Sequence, residues 1–277
     1  MKIGVLHPGE MGISICRALA DAGHDVLWAS EDRSEATVDR VSALLGLRDV
    51  VTLPALCREA DGIISVCPPH AAHDLAARVS ACGFGGVYAD ANAVSPETAA
   101  ATAKLIGARY VDGGLIGPPA DRVGSTRLYL SGGRAETVAA WFSESLLDAR
   151  VIGTQPTQAS RLKMAYAAYT KGSSALLLAV NALAEAAGVR AELEQEWALS
   201  QKGLTERSQG AARGTAPKAW RFVGEMQEIA ATFESFGLSG DFHRGAADLY
   251  ARMAALKGRS SSDLVDVLNE ILAGEES

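Results

Sequence analysis

The sequence predicts an α/β fold: a doubly wound, mostly parallel sheet, followed by an all-α C-terminal domain led by a long interdomain helix. Three observations predict it. A strand, a glycine turn, a helix and a second strand fill the first thirty residues. Strand and helix patterns then alternate up to Ile152, which is the pattern of a sheet covered on both faces. From Thr157 to Ala187 the residues are helix formers with no proline, and no convincing strand follows Ile152.

The opening unit sets the rest. Lys2 to Leu6 (KIGVL) is apolar, with β-branched Ile3 and Val5, and reads as a short buried strand. The turn His7-Pro8-Gly9-Glu10-Met11-Gly12 follows. The next segment puts Ile13, Cys16, Leu19 and Ala20 on one helical face, with Gly23 just past its end. Asp25 to Ala29 is the second strand. This is the dinucleotide-binding βαβ pattern of a Rossmann-type domain. Gly9 lets backbone come close to a pyrophosphate, and Gly12 lets the helix pack on the strand. The helix N-terminus offers free N–H groups and a positive dipole end to phosphates. A full G-x-G-x-x-G would need glycine at position 7, where the chain has His7. His7 reads either as facing the pyrophosphate or as a turn residue. G-x-x-G alone also suits an ordinary strand-to-helix turn; its place in the chain and the strand that follows favour the nucleotide.

After the second strand, Ser30, Arg33 and Ser34 suit a 2′-phosphate, while Glu31 and Asp32 suit a free ribose 2′-hydroxyl. Ser30, rather than an acid, ends the strand, which favours NADP over NAD. A plain solvated turn is the competing reading of each of these side chains.

Further along, Ser34–Leu47 reads as helix, Val50–Thr52 as a weak strand, Pro54–Ala60 as a short helix and Gly62–Cys67 as a buried strand stopped by Pro68-Pro69. His70–Ser80 is helical, Gly86–Asp90 a strand, and Ser95 a cap for a helix that starts at Pro96. Arg109–Asp112 and Thr126–Ser131 are strands, Glu136–Leu147 a helix, and Arg150–Ile152 the last strand. Ligands of such sheets sit beyond the carboxyl ends of the strands. That places Cys67, Pro68, Pro69 and Asn92 along the cofactor's ribose and nicotinamide. After the long, mostly apolar and buried helix come helices at Ala191–Leu199, Trp220–Phe236, His243–Leu256 and Ser262–Leu272, interrupted by a polar stretch, Ser208–Pro217. The division falls near residue 155: an NAD(P)-binding domain over 1–155 and a helical substrate and dimerisation domain over 156–277.

Composition excludes other classes. At 277 residues and 48% apolar, the chain can bury a large core. A net charge of −7 and no basic stripe argue against nucleic acid. No apolar run reaches the roughly 18 residues of a membrane span, and the chain opens on a strand rather than a signal peptide. Cys16, Cys57, Cys67 and Cys82 lack C-x-x-C spacing and read as reduced core thiols of a cytoplasmic protein. His70 and His73 lack a completing ligand, so no metal is expected.

The order of parts resembles the 6-phosphogluconate dehydrogenase and β-hydroxyacid dehydrogenase superfamily. Its turn G-L-G-x-M-G matches His7 to Gly12 except at the first glycine. Its D-x-x-x-x-G-G loop is similar to Asp112-Gly113-Gly114-Leu115-Ile116-Gly117-Pro118. Its catalytic lysine, at the head of the long helix, falls on Lys163, twenty-five residues before Gly188. Lys163–Gly172 (KMAYAAYTKG) and Trp220–Leu238 look more specifically like a branch of phosphogluconate dehydrogenase-like NAD(P)-dependent oxidoreductases. The chain departs from the pattern where the superfamily's substrate serine is Ile116, its asparagine is Tyr166 and its second loop glycine is Pro118. No lysine stands near Gln227, where the last domain usually supplies one.

Hydride transfer at a carbonyl needs one proton donor or acceptor, and a desolvated lysine can serve. Lys163 stands in an apolar helix start and must find a polar pocket, unless it is a surface lysine with a packed stem. Tyr166 and Thr170 follow on the same face. Tyr166 is read as a hydrogen-bond donor or proton relay, or as aromatic packing. Lys171 lies off that stripe and reads as a solvated or interface charge. Gly113 and Gly114 would leave room for substrate. Glu225 and His243 are candidate substrate contacts, with a helix-surface position as the alternative. The expected activity is hydride exchange between a nicotinamide cofactor and a small polar hydroxy or carbonyl compound. The rivals are an imine reductase acting on C=N and a catalytically silent NADP(H)-binding sensor. Related enzymes pair through the long helix, and a homodimer through the helical domain is expected.

Overall fold

A computed structural model describes residues 1–44, 46–259 and 262–274. Among the described residues, eight strands form one sheet in the order β3-β2-β1-β4-β5-β6-β7-β8. The first half alternates β1 (Lys2–Leu6), α1 (Glu10–Asp21), β2 (Asp25–Trp28), α2 (Glu35–Ser42), β3 (Leu47–Asp49), α3 (Leu53–Glu59), β4 (Gly62–Ser65), α4 (Pro69–Ala81), β5 (Val87–Asp90) and α5 (Pro96–Ile106). Then come β6 (Tyr110–Ile116), β7 (Arg127–Ser131), α6 (Ala135–Ala140) and β8 (Asp148–Gly153). All neighbouring strands are parallel except β6 and β7, which pair antiparallel. Strand alternation sends Ile3 and Val5 into one apolar cluster with Ile15, Leu19, Leu128 and Trp141. Leu6 goes into the other, with Leu27, Leu56, Ile63, Tyr88 and Tyr110. Both clusters belong to buried parallel strands, hence the near-continuous apolar runs.

The helical part comprises α7 (Gln158–Ala186), α8 (Arg190–Ser200), α9 (Leu204–Thr215), α10 (Ala219–Ser235), α11 (Asp241–Arg252) and α12 (Leu264–Ala273). The chain separates into two compact units, Met1–Met164 and Ala165–Ser277, so the division falls inside α7. Within the second unit the Phe222 and Tyr250 rings meet edge-on at 5.4 Å, and the Tyr250 hydroxyl donates to the Lys171 carbonyl at 2.8 Å. Among the described residues no helix is long and apolar enough to cross a membrane.

Several sequence expectations shift, each for a local reason. The helix expected over Ser34–Leu47 ends at Ser42, and Gly46 turns the chain at a φ of 89°; Leu45 lies outside the described residues. The strand expected over Val50–Thr52 is instead β3, three residues earlier, paired with β2. Val51 takes a left-handed φ of 66° and Thr52 caps α3, so these β-branched residues serve a turn and a cap. β6 runs to Ile116 rather than Asp112 because β7 folds back on it and pairs from Asp112↔Ser131 to Ile116↔Arg127. The helix expected to reach Leu147 stops at Ala140, and Glu144 sits at a φ of 66°. The interruption expected at Ser208–Pro217 is largely helix, with Gly210 and Gly214 inside α9. α7 is not wholly buried: Tyr166, Tyr169, Leu176 and Leu183 are exposed. The Ser95 cap is present and accepts from the Thr98 amide.

Gly62 shows how closely the sheet is covered. A Cβ there would lie 2.5 Å from the ring of Trp141, which is itself buried. Gly62→Ala is therefore expected to destabilise the protein by about 1–3 kcal/mol, seen as a lower urea midpoint with an unchanged slope.

Candidate active site

The first turn places β1 against α1 through a contact that only glycine allows. A Cβ on Gly12 would sit 2.4 Å from the His7 carbonyl oxygen. Gly9 is the N-cap of α1, with open space where a Cβ would be. As N-cap, Gly9 makes no side-chain hydrogen bond to the first turn of α1. His7 holds the place of the missing fingerprint glycine at a left-handed φ of 61°, a strained region for a side chain. Its ring does not stand alone: Nη1 of Arg33 lies 2.7 Å from Nδ1 and 2.9 Å from Nε2. Burial, then Arg33 and Arg78, push the His7 pKa down to about 4. His7 is accordingly neutral at physiological pH.

The loop after β2 is held by β3 and by its own backbone. The Ser30 amide donates to Asp49 Oδ1 at 3.2 Å, and Arg33 Nε donates to the Glu31 carbonyl at 3.1 Å. Ser34 shares a hydroxyl hydrogen bond with Thr37. Arg33 is the one of these side chains turned into the recess beside His7, together with Glu31 and Arg78. Arg78, in the last turn of α4, stands in no sequence motif; nothing in the local pattern shows that α4 brings it to the end of β1.

At the ends of β4 and β5 the side chains bind one another. Asn92 Oδ1 accepts from the Cys67 amide at 2.5 Å, and its Nδ2 donates to Ser65 Oγ and Asp90 Oδ1. Asn92 thus braces the two strand ends. Burial raises the Cys67 pKa to about 12, so it stays a thiol. Pro68 caps and Pro69 opens α4.

β6 supplies the frame for Lys163. Asp112 accepts from the Ser160 amide at 2.9 Å and from its hydroxyl at 2.5 Å. Ser131 Oγ donates to Asp112 and accepts from the Ala159 amide at 3.0 Å. A carboxylate and a hydroxyl thereby satisfy orphan amides of the first turn of α7 and oppose its positive end. One turn later Lys163 Nζ donates to the Leu115 carbonyl at 2.7 Å. Gly114 does not leave open volume: a Cβ there would meet the Ala159 carbonyl at 2.9 Å and Lys163 Cβ at 3.0 Å. A Cβ on Gly113 would meet the Asp90 carbonyl at 3.0 Å. Both glycines are positions of close approach within a buried strand. Ile116, in the superfamily's serine position, is buried at the end of β6.

The second unit holds the remaining candidates. Tyr166 is exposed, and the Thr170 hydroxyl donates back to the Tyr166 carbonyl. Lys171 is not solvated: its Nζ pairs with Glu225 at 2.8 Å, with side chains 15% and 10% exposed, and lies 4.9 Å from the Phe222 ring. Glu225 is accordingly buried rather than on a helix surface. His243 is also buried, 4.4 Å from the Phe233 ring, with Nδ1 unpartnered. Thr170, Lys171 and Phe222 line a cleft of about 270 Å³ with Ser174, Gly210 and Gly214. Among the described residues no cluster of three metal-ligating side chains occurs.

Asp90 and Asp112 face each other in register on β5 and β6. Burial above all raises Asp90 to about 7 and Asp112 to about 6. The folded state therefore keeps protons that an unfolded aspartate has lost. Stability should fall as pH rises from the ordinary value of 3.8 to about 7, then level off. Asp90→Asn, which mimics the protonated acid, should flatten that slope in urea titrations between about pH 5 and 8. An unchanged slope would place the proton elsewhere.

Comparison with known proteins is consistent with this architecture. Residues 184–253 match a domain of unknown function, DUF1932. The chain is 29% identical over 194 residues to an uncharacterized 28.5 kDa protein of Methanothermus fervidus, covering 70% of this chain and 74% of that one. A conserved hypothetical protein from Sinorhizobium meliloti superposes with a TM-score of 0.70 at 25% identity, over 99% of this chain and 96% of that chain. The 3-hydroxyisobutyrate dehydrogenase of Mycobacterium tuberculosis does so at 0.67 and 18% identity, over 97% and 98%. A reductive aminase from Aspergillus terreus, in complex with NADPH, cyclohexanone and allyl amine, gives 0.57 at 18%, over 97% and 98%. The chain thus has the fold of the 3-hydroxyacid dehydrogenases.

Proposed function

We propose that the chain is an NAD(P)-dependent oxidoreductase, using NADP(H), that interconverts a small polar hydroxy compound and its carbonyl form with Lys163 as acid and base. The observation that carries this reading is Lys163, held to the Leu115 carbonyl by a helix whose first turn is pinned to Asp112. The uncapped start of α1 and the close-packed Gly12 fit a pyrophosphate, and Arg33 and Ser34 fit a 2′-phosphate. When bound, a nicotinamide supplies or accepts the hydride. The protein's part is the proton. An ammonium beside the carbonyl oxygen donates as that oxygen gains charge, and the free amine takes the hydroxyl proton in the reverse direction. The Leu115 carbonyl accepts from Lys163 Nζ and so fixes where the amine stands. Tyr166 is the candidate second donor; Gly113, Gly114, Thr170, Glu225 and His243 stay as proposed substrate-side residues, the glycines by shaping backbone.

Reduction of C=N is the second reading. It is favoured by Ile116, which offers no hydroxyl to a substrate carboxylate, and by the reductive aminase that shares the fold. A panel of keto acids, aldehydes and cyclic imines, followed by NADPH absorbance, separates the two. Lys163→Met should lower kcat by about 10²–10⁴-fold while the NADPH dissociation constant stays unchanged. Full turnover in that variant would remove Lys163 from the chemistry.

We also infer a homodimer through the helical domain. Tyr166, Tyr169, Leu176 and Leu183 recur at spacings of one to two turns along one exposed face of α7. Leu183→Arg should shift the protein to monomer in sedimentation velocity; a wild type that sediments as a monomer would end this reading.

A further inference from the structure

We propose that His7, Arg33 and Arg78 form one site for a phosphomonoester dianion, the 2′-phosphate of an adenine nucleotide, and that Arg78 and His7 are specificity-determining residues. The proposal rests on the nucleotide-binding reading above. It goes beyond that reading in naming a second arginine and in giving His7 a role away from the pyrophosphate.

The three side chains come from separate segments, the end of β1, the loop after β2 and the last turn of α4, and line one recess. Convergence of two guanidinium groups is unfavourable by itself. Burial and then Arg78 hold the Arg33 pKa below its ordinary value. Among the described residues neither arginine forms an ion pair with a carboxylate. Asp32 acts on Arg33 only through space, and Glu31 lines the recess with its backbone carbonyl turned to Arg33 Nε. Two like charges kept together without a carboxylate between them suit an anion with several acceptor oxygens. A phosphomonoester carries three such oxygens and nearly two negative charges.

His7 fits the same purpose. A glycine at a φ of 61° would be relaxed, yet a ring is kept there and meets Arg33 at 2.7 Å. Before an anion arrives, a neutral ring accepts from Arg33 and holds it over the recess. Once a dianion sits between the arginines, protonated His7 becomes a third donor. The charged groups facing His7 are Arg33 and Arg78, with Glu31 in the recess, so anion binding is coupled to proton uptake by His7.

The test compares 2′,5′-ADP with 5′-AMP by calorimetry, and NADPH with NADH by fluorescence, on the full chain. Wild type should prefer the 2′-phosphorylated member of each pair. Arg78→Met should weaken 2′,5′-ADP and NADPH by about tenfold and leave 5′-AMP and NADH within about twofold. Equal losses for both members, or no loss, would overturn the role of Arg78. His7→Gly relaxes the backbone and should reduce the gain in 2′,5′-ADP affinity as pH falls from about 8 to about 6.5. Because the phosphate titrates alike in both proteins, parallel pH curves would remove His7 from the site. Equal binding of NADH and NADPH by wild type would overturn the site and leave the oxidoreductase reading standing. Binding of neither dinucleotide would overturn both.

Discussion

The carboxylate of Asp112 at the first turn of α7 is the interaction on which the rest of the candidate site depends. A helix this long brings a positive end to the sheet, and its first amides need acceptors. Asp112 and Ser131 meet that need from adjacent antiparallel strands. The register of β6 against β7 therefore fixes where α7 begins. Where α7 begins fixes the height of Lys163, and Gly114 fixes how near the helix lies to β6. The lysine's position follows from the sheet rather than from a flexible loop, as the proposed proton transfer requires.

Much of this was legible in the sequence. Periodicity and glycine punctuation gave the βαβ opening, the alternation up to Ile152, the Ser95 cap and the long helix. These are local signals, set by side-chain period and turn chemistry. The resemblance in motif order pointed to the fold that the chain shares with the 3-hydroxyacid dehydrogenases.

What was not legible depends on contacts between distant segments. Gly113 and Gly114 read as space for a ligand, yet their missing side chains are matched by the Asp90 carbonyl and by the helix that carries Lys163. Val50 to Thr52 has strand composition, but the turn into α3 claims those residues. Gly210 and Gly214 suggest a loop, and α9 keeps them helical despite a cost of roughly 1 kcal/mol each relative to alanine. Lys171 read as a solvated or interface charge, and Arg78 stood in no motif, because nothing within a turn of either shows what it approaches in space.

The Lys171–Glu225 pair has a consequence for sequence change. Taking two charges out of water is costly, and removal of Glu225 would leave Lys171 buried without its carboxylate. Two apolar residues of similar size would fill the same volume without that cost. Neither position can therefore drift alone, whereas both can change together. Among homologues the two positions should covary, either both charged or both apolar.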